Sequence, residues 1–410
     1  MFKHFTLMLL GLILSVISCD FNLKGWRTFV LDDFEARGFI LDIGGGGEGV
    51  IGRLKGEQVV AIDISRQELE DAPGGPLKIV MDASELKFID ESFHTATSFC
   101  TLMYVDVSLH EKVFREMFRV LEPGGQFLIW DVVVPRKSGS EEERVLFPIS
   151  VKLPEESITT GYGVRCRDVE LNTGYYTGLA EDVGFSVTTK EESGQSFFIK
   201  LSKPAEMIEE QEPAETGEHD RRASEAQILF HEQQEITVED FEARGLIVDI
   251  GGGGEGVIGR LRGEQVVAID ISERELVEAP DGPLKLVMDA RDTGFLDGSF
   301  ATATSFFTLM YIQSADHERV FQEIHRVLAP GGRFLIWDVV LAPGPDGKKM
   351  GVFPLLIRLP DEEINTGYGV RLPERDQNLA YYARLAEKAG FQVLEKKEAK
   401  ESFYLELKKM

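Results

Sequence analysis

Six glycines at 44–47, 49 and 52 follow a short apolar run that carries a carboxylate, Asp42, two residues before the first of them. Gly44, Gly46 and Gly49 satisfy the spacing G-x-G-x-x-G, which lets backbone approach a nucleotide closely and aims helix-start amides at it. A plain strand-to-helix turn would not need so many glycines, because each one costs unfolded-state entropy. Two more carboxylates close later apolar runs. Asp63 ends Val59-Val60-Ala61-Ile62, where it could accept hydrogen bonds from ribose hydroxyls. Asp82 follows Leu77 to Met81, within reach of an adenine amino group. The glycine spacing suits NAD and other adenosine cofactors alike. Asp42, however, would repel a diphosphate and attract an amino group and a sulfonium, so the charge favours S-adenosylmethionine over a dinucleotide.

These residues need a scaffold that brings strand ends together. Apolar runs at 39–43, 59–63, 77–81, 96–99 and 126–134 read as strands, and Val50 to Leu54, Glu111 to Leu121 and Asn172 to Val183 as helices. Pro123-Gly124-Gly125 is expected to stop the second of these helices. Strands separated by helices predict an α/β fold: a mostly parallel sheet with helices on both faces. The last two strands, near 185–187 and 196–201, are joined by a turn too short for a crossover helix and should form an antiparallel hairpin.

The whole pattern is written twice. Asp-Phe-Glu-Ala-Arg-Gly at 33–38 recurs at 240–245, an offset of 207 that also carries Asp42 to Asp249, Asp63 to Asp270 and Asp82 to Asp289. A period this long lets each copy be a complete domain rather than a stacked fragment. The expected organisation is a segment at 1–20, a first Rossmann-like domain at 28–203, an acidic linker at 204–235 and a second domain at 236–410. Two alike domains could also dock on each other pseudo-symmetrically.

The chain resembles a tandem pair of class I S-adenosylmethionine-dependent methyltransferase domains, close to the small-molecule type 11 group. The resemblance rests on Ile40-Leu41-Asp42-Ile43-Gly44-Gly45-Gly46, Ala61-Ile62-Asp63-Ile64-Ser65, Met81-Asp82-Ala83, and Arg119 to Gly125 with Phe127-Leu128-Ile129. It implies that Gly44, Gly45 and Gly46 line the methionine end of the cofactor, with Asp42 near its amino group. It further implies that Asp63 and Ile64 serve the ribose, Asp82 and Ala83 the adenine, and Ser98 and Phe99 the wall beside the methyl. In the second copy the same roles fall to Asp249, Gly251, Gly252, Gly253, Asp270, Ile271, Asp289, Ala290, Ser305 and Phe306. One departure stands out: Glu48 and Glu255 occupy the place where the family has a glycine, which puts the loop's detailed contacts in question.

Methyl transfer from a sulfonium mainly needs a nucleophile aligned and water excluded, so a dedicated acid or base is optional. Tyr104 and Tyr311, just past the fourth strand, could face the transferred methyl. An inserted pair of extended segments, 146–153 with 157–164 and its copy at 352–359 with 364–370, follows a strand's carboxyl end and should lie over the crevice. Tyr162, Arg165, Tyr368 and Arg371 are its candidate substrate contacts. His110 and His317 read as cap or surface residues. No Asn-Pro-Pro-Tyr-like run suggests a DNA amino-methyltransferase, and no paired acids suggest a magnesium site. The expected partner is a small-molecule substrate. The competing reading is a cofactor-binding module in which one or both halves do no chemistry.

Acids outnumber bases 70 to 44, a net charge of −26 that disfavours nucleic acid as a partner. Three cysteines cannot make a disulfide framework in 410 residues, and no metal site is expected. Lys3, the apolar run from Phe5 to Ile17 and the Val-Ile-Ser-Cys ending at Cys19 resemble a secretory or lipoprotein signal, and the run is short for a membrane span. This predicts a membrane-associated protein. A cytoplasmic one is the alternative, since S-adenosylmethionine is a cytosolic metabolite.

Overall fold

The computed structural model describes residues 21–139, 143–205 and 228–410. The signal-like segment and most of the linker lie outside the described residues. The chain forms two compact units, one per repeat.

In chain order the first unit contains β1 (Phe21–Leu23), β2 (Arg27–Val30), β3 (Ile40–Ile43), α1 (Val50–Lys55), β4 (Val59–Asp63), α2 (Arg66–Asp71), β5 (Leu77–Val80), β6 (Phe93–Phe99), α3 (His110–Val120), β7 (Leu121–Val132), β8 (Arg144–Lys152), β9 (Ser157–Arg165), α4 (Thr173–Val183), β10 (Ser186–Ser193) and β11 (Ser196–Ser202). Seven strands form one sheet in the order β10-β11-β7-β6-β3-β4-β5. The strands from β7 to β5 are parallel, and β11 and β10 close the sheet antiparallel, as the short turn between them requires. β3 sits near the middle and every one of its residues is buried, which explains its unbroken apolar reading. Each such Ile or Leu contributes roughly 1.5–3 kcal/mol by leaving water.

Helix α3 buries Val113, Phe114, Met117 and Val120, one face of a 3.6-residue period. The Phe114 ring lies 5.9 Å from Phe127 on β7 and 6.2 Å from Tyr176 on α4, so it locks both helices to the sheet. Truncation of such a residue to Ala costs about 3–5 kcal/mol. Pro123-Gly124-Gly125 does not separate helix from strand as expected. β7 starts at Leu121, paired with Phe93, and the register then shifts so that Gln126 pairs with Thr95. Asn172 caps α4 by accepting the Tyr175 amide at 2.9 Å, and Gly184 ends it in the left-handed region.

The inserted segments form the expected antiparallel hairpin, β8 with β9. Its other edge is new: β1 and β2 both pair parallel with β8, so residues ahead of the expected boundary at 28 belong to the folded unit. Phe29 on β2 packs edge-on against Phe99 at 5.1 Å and so supports the end of β6.

The second unit repeats this plan with β12 (Ile228–Phe230), β13 (Gln234–Thr237), β14 (Ile247–Ile250), α5 (Val257–Arg262), β15 (Val266–Asp270), α6 (Glu273–Glu278), β16 (Leu284–Val287), β17 (Phe300–Phe306), α7 (His317–Val327), β18 (Leu328–Val339), β19 (Met350–Arg358), β20 (Glu363–Arg371), α8 (Leu379–Lys388), β21 (Phe391–Ala399) and β22 (Ser402–Lys409). Its main sheet runs β16-β15-β14-β17-β18-β22-β21. β12 and β13 pair parallel with β19. Residues 228–235, read as the end of the linker, therefore include strand. Their partner is far downstream, and no local pattern announces the pairing.

Candidate functional site

In the first unit the carboxyl ends of β3, β4, β5 and β6 open onto a crevice of about 650 Å³. Among the described residues its wall carries six carboxylates, those of Asp42, Glu48, Asp63, Glu68, Asp82 and Asp106, and no Lys, Arg or His. A site of that character attracts a cation and excludes a diphosphate.

The glycine loop is shaped by close approach. Gly44 has a φ of 69°, and a Cβ there would stand 2.2 Å from the Thr101 side chain. A Cβ on Gly46 would stand 2.6 Å from Glu68 Cβ and 2.9 Å from Asp63 Oδ2. Both positions line the crevice, whereas Gly45 lies over Asp42, with its would-be Cβ 2.7 Å from Oδ2, and does not. Asp42 reaches the crevice from a nearly closed position. Thr97 Oγ1 donates to it at 2.7 Å, while burial pushes its carboxyl up to about 7. Asp63 accepts the Ser65 amide at 2.8 Å, and also the amides of Gly46 and Ile64, which orient the carboxylate. Burial outweighs these bonds and raises its pKa. Asp82 accepts the Ser84 amide at 2.8 Å. Ile64, Ala83 and Phe99 line the crevice as expected.

Ser98 does not line it. Ser98 is fully buried within β6, its hydroxyl without a hydrogen-bond partner, and Ser305 is its equal in β17. The wall is made instead by the residues that pass the strand's tip: Phe99, Cys100 and Thr101. Tyr104 faces the crevice from a single helical turn, Leu102–Tyr104. That turn is pinned by His110, which is buried rather than a surface residue. His110 Nε2 meets the Leu102 carbonyl at 3.0 Å, and Nδ1 meets the Tyr175 hydroxyl at 2.9 Å. The carbonyl can only accept, so Nε2 carries the proton and Nδ1 accepts from the phenol. Burial lowers the His110 pKa, consistent with a neutral ring.

The hairpin closes one side. Tyr162 lines the crevice and its hydroxyl donates to Glu48 at 3.0 Å; Thr160 donates to the same carboxylate. Glu48, the residue that departs from the family pattern, is thus the point where the glycine loop grips β9. The departure was visible in the sequence, but its partner was not. Tyr104 and Tyr162 meet edge-on at 6.3 Å. Burial raises both phenols well above their ordinary range, so they act as neutral walls and donors near neutral pH. Arg165 and Arg371 lie on exposed ends of β9 and β20 and line neither crevice.

The second crevice, about 580 Å³, repeats the arrangement with Asp249, Gly251, Gly252, Gly253, Glu255, Asp270, Ile271, Glu275, Asp289, Ala290, Phe306, Tyr311 and Tyr368 in its wall. Asp249 is pushed up to about 7 by burial, and Tyr368 donates to Glu255 at 3.0 Å. Four residues differ in kind, Gln313 in place of Asp106 among them. Phe307 stands where the first unit has Cys100, and its ring lies 5.7 Å from Tyr368. Arg291 and Asp316 replace Ser84 and Leu109.

The sequence profile of the methyltransferase domain matches residues 41–129 and again 248–336, the two glycine-loop halves. The chain is 35% identical over 127 residues to the ubiquinone/menaquinone biosynthesis C-methyltransferase of Vibrio parahaemolyticus, a match covering 27% of this chain and 48% of that protein. To the protein of that name from Vibrio cholerae it is 32% identical over 187 residues, covering 40% of this chain and 71% of that one. The chain thus spans about half the length of the first of these relatives and more of the second. An S-adenosylmethionine-dependent methyltransferase from Mesorhizobium loti is 18% identical, covering 41% of this chain and 94% of that one with a TM-score of 0.31. One from Methanosarcina mazei is 23% identical, covering 42% and 95% with a TM-score of 0.32. The fold and the two acidic glycine-loop crevices define a nucleotide-cofactor enzyme with a doubled domain. The chain belongs to the S-adenosylmethionine-dependent methyltransferase family.

The residues present fit that cofactor. Its amino group and sulfonium are cationic, and the first crevice offers them carboxylates with no competing basic side chain. Asp42 and Asp63 would hold the amino and ribose ends, and the cradle at Gly46 is one that a Cβ would fill.

Proposed function

We propose that the protein transfers a methyl group from S-adenosylmethionine to a small, flat acceptor, with each repeat contributing a crevice. The observation that carries this reading is the pairing of six carboxylates and an aromatic wall in one cavity. The carboxylates suit the donor. Phe99, Tyr104 and Tyr162 suit a planar acceptor, and the relatives named for ubiquinone and menaquinone biosynthesis support a ring-bearing one. When bound, the cofactor supplies an electrophilic methyl. The chain's own part is to hold both molecules in line and to keep water out, with Tyr162 and Glu48 closing the hairpin side.

The test incubates the full chain with isotope-labelled S-adenosylmethionine and a small-molecule extract, followed by mass spectrometry. Labelled products heavier by one methyl are expected, and loss of the label to water alone would contradict the reading. The alternative, that one half binds cofactor without turnover, is favoured by the ion pairs of Arg291 in the second crevice alone.

One further element belongs to this proposal. Lys3, the apolar run and Cys19 support a membrane tether; membrane fractionation of chains with and without residues 1–20 checks it.

A further inference from the structure

Asp289 is held very differently from its counterpart Asp82. The Arg291 guanidinium lies flat against it: Nε is 2.9 Å from both Oδ1 and Oδ2, and Nη2 also reaches Oδ2. The Arg291 amide donates to Oδ1 at 2.8 Å. From its other side, Arg291 Nη1 donates to Asp316 Oδ2 at 2.8 Å. Asp316 is the residue from which α7 starts, so the triad ties the loop after β16 to the mouth of that helix. All three residues line the crevice. In the first unit the same positions are Asp82, Ser84 and Leu109. Asp82 accepts the Ser84 amide, and among the described residues no cationic side chain lines that cavity.

We propose that the Asp289–Arg291–Asp316 triad makes the second crevice the weaker cofactor site, because it occupies the carboxylate that the first crevice leaves open for an adenine amino group. This rests on the methyltransferase reading above. A guanidinium fork is a rigid, bidentate partner for a carboxylate, and an adenine amino group brings one neutral donor to the same oxygens. The adenine must either displace the fork or do without the bond. Arg291 also places the single positive charge in a cavity that receives a cationic ligand. Both effects act in the same direction. The triad differs from the first crevice at two positions, Arg291 against Ser84 and Asp316 against Leu109, and both line one crevice.

The test is calorimetric titration of the full chain with S-adenosylmethionine. Two sites are expected that differ by about tenfold, or about 1.4 kcal/mol, with Asp270→Ala removing the weaker. Arg291→Ser should narrow the gap. The reciprocal variant, Ser84→Arg with Leu109→Asp, should weaken the tighter site about tenfold, and it decides the matter even if Arg291→Ser lowers the melting temperature. Equal affinities in the wild-type chain, or a reciprocal variant that binds as tightly as before, would overturn the inference while leaving the methyltransferase reading in place. No binding at either site would overturn both.

Discussion

The two crevices are the same device with different tolerances. Each has a buried carboxylate under a glycine loop, a half-buried carboxylate at the next strand tip and a tyrosine that bonds the loop's glutamate. They part where the cavity widens. Cys100 leaves room that Phe307 fills, in line with cavities of about 650 and 580 Å³, and Ser84 leaves open what Arg291 covers. The glycine loops, the buried and strand-tip carboxylates and the loop-bonded tyrosines are therefore repeated, whereas Cys100, Ser84, Asp106 and Leu109 of the first unit become Phe307, Arg291, Gln313 and Asp316 in the second.

The largest expected effect tests what is shared. Asp63→Ala should weaken cofactor binding at the first crevice by roughly 10- to 100-fold, the loss of hydrogen bonds to a charged group, while Asp270→Ala does the same only at the second. Calorimetry of each variant would show one site lost and one retained; loss of both from either variant would mean that the crevices are not independent.

The next effect is pH. Asp42 and Asp249 are raised to about 7 by burial. A cationic ligand favours their ionised form, so binding releases a proton and lowers the pKa. Affinity for S-adenosylmethionine should then rise with pH up to about 7 and level off above it, by at most about tenfold per unit on the acid side. Asp42→Asn should flatten that dependence at the first crevice alone. A flat profile in the unaltered chain would show that these carboxylates do not face the charge.

A smaller effect separates the acceptor ends. Cys100→Phe should narrow the first crevice and raise KM for bulky acceptors severalfold, with cofactor affinity unchanged; Phe307→Cys should do the reverse in the second. Steady-state kinetics over acceptors of graded size would check this, and equal shifts in cofactor affinity would place these residues elsewhere. The smallest concerns Arg53, whose ion pair with Glu156 at 3.1 Å joins α1 to the hairpin turn and is partly exposed. Arg53→Ala should cost under about 1 kcal/mol of stability. A larger loss of melting temperature would mean that the hairpin depends on this surface pair rather than on its buried Val145, Phe147, Ile149 and Val151.

Much of this arrangement was readable in the chain itself. Ile40 to Ile43 and Val59 to Asp63 are buried on both faces, so they read as continuous apolar runs, and the carboxylates interrupting or ending them stood out. The antiparallel close of the sheet follows from a connection between 187 and 196 too short to hold a crossover helix. What was not readable depends on non-local partners. Phe21–Leu23 and Ile228–Phe230 are three-residue strands whose ladder lies on a distant hairpin. Glu48 stands out from the family pattern, yet its meaning requires Tyr162 to arrive from β9. The family resemblance places Ser98 in the wall, at the end of the fourth strand. The crevice opens one step later, where the chain leaves β6 at Phe99 and Cys100, and Ser98 stays inside the sheet. His110 hides its role for a similar reason, since its two partners, the Leu102 carbonyl and the Tyr175 hydroxyl, sit on separate elements.

The central claim is that each repeat forms its own S-adenosylmethionine crevice. Equilibrium dialysis of the full chain against labelled S-adenosylmethionine tests it most directly. The account predicts two molecules bound per chain, neither displaced by NAD. One molecule shared by both repeats, or displacement by the dinucleotide, would contradict it.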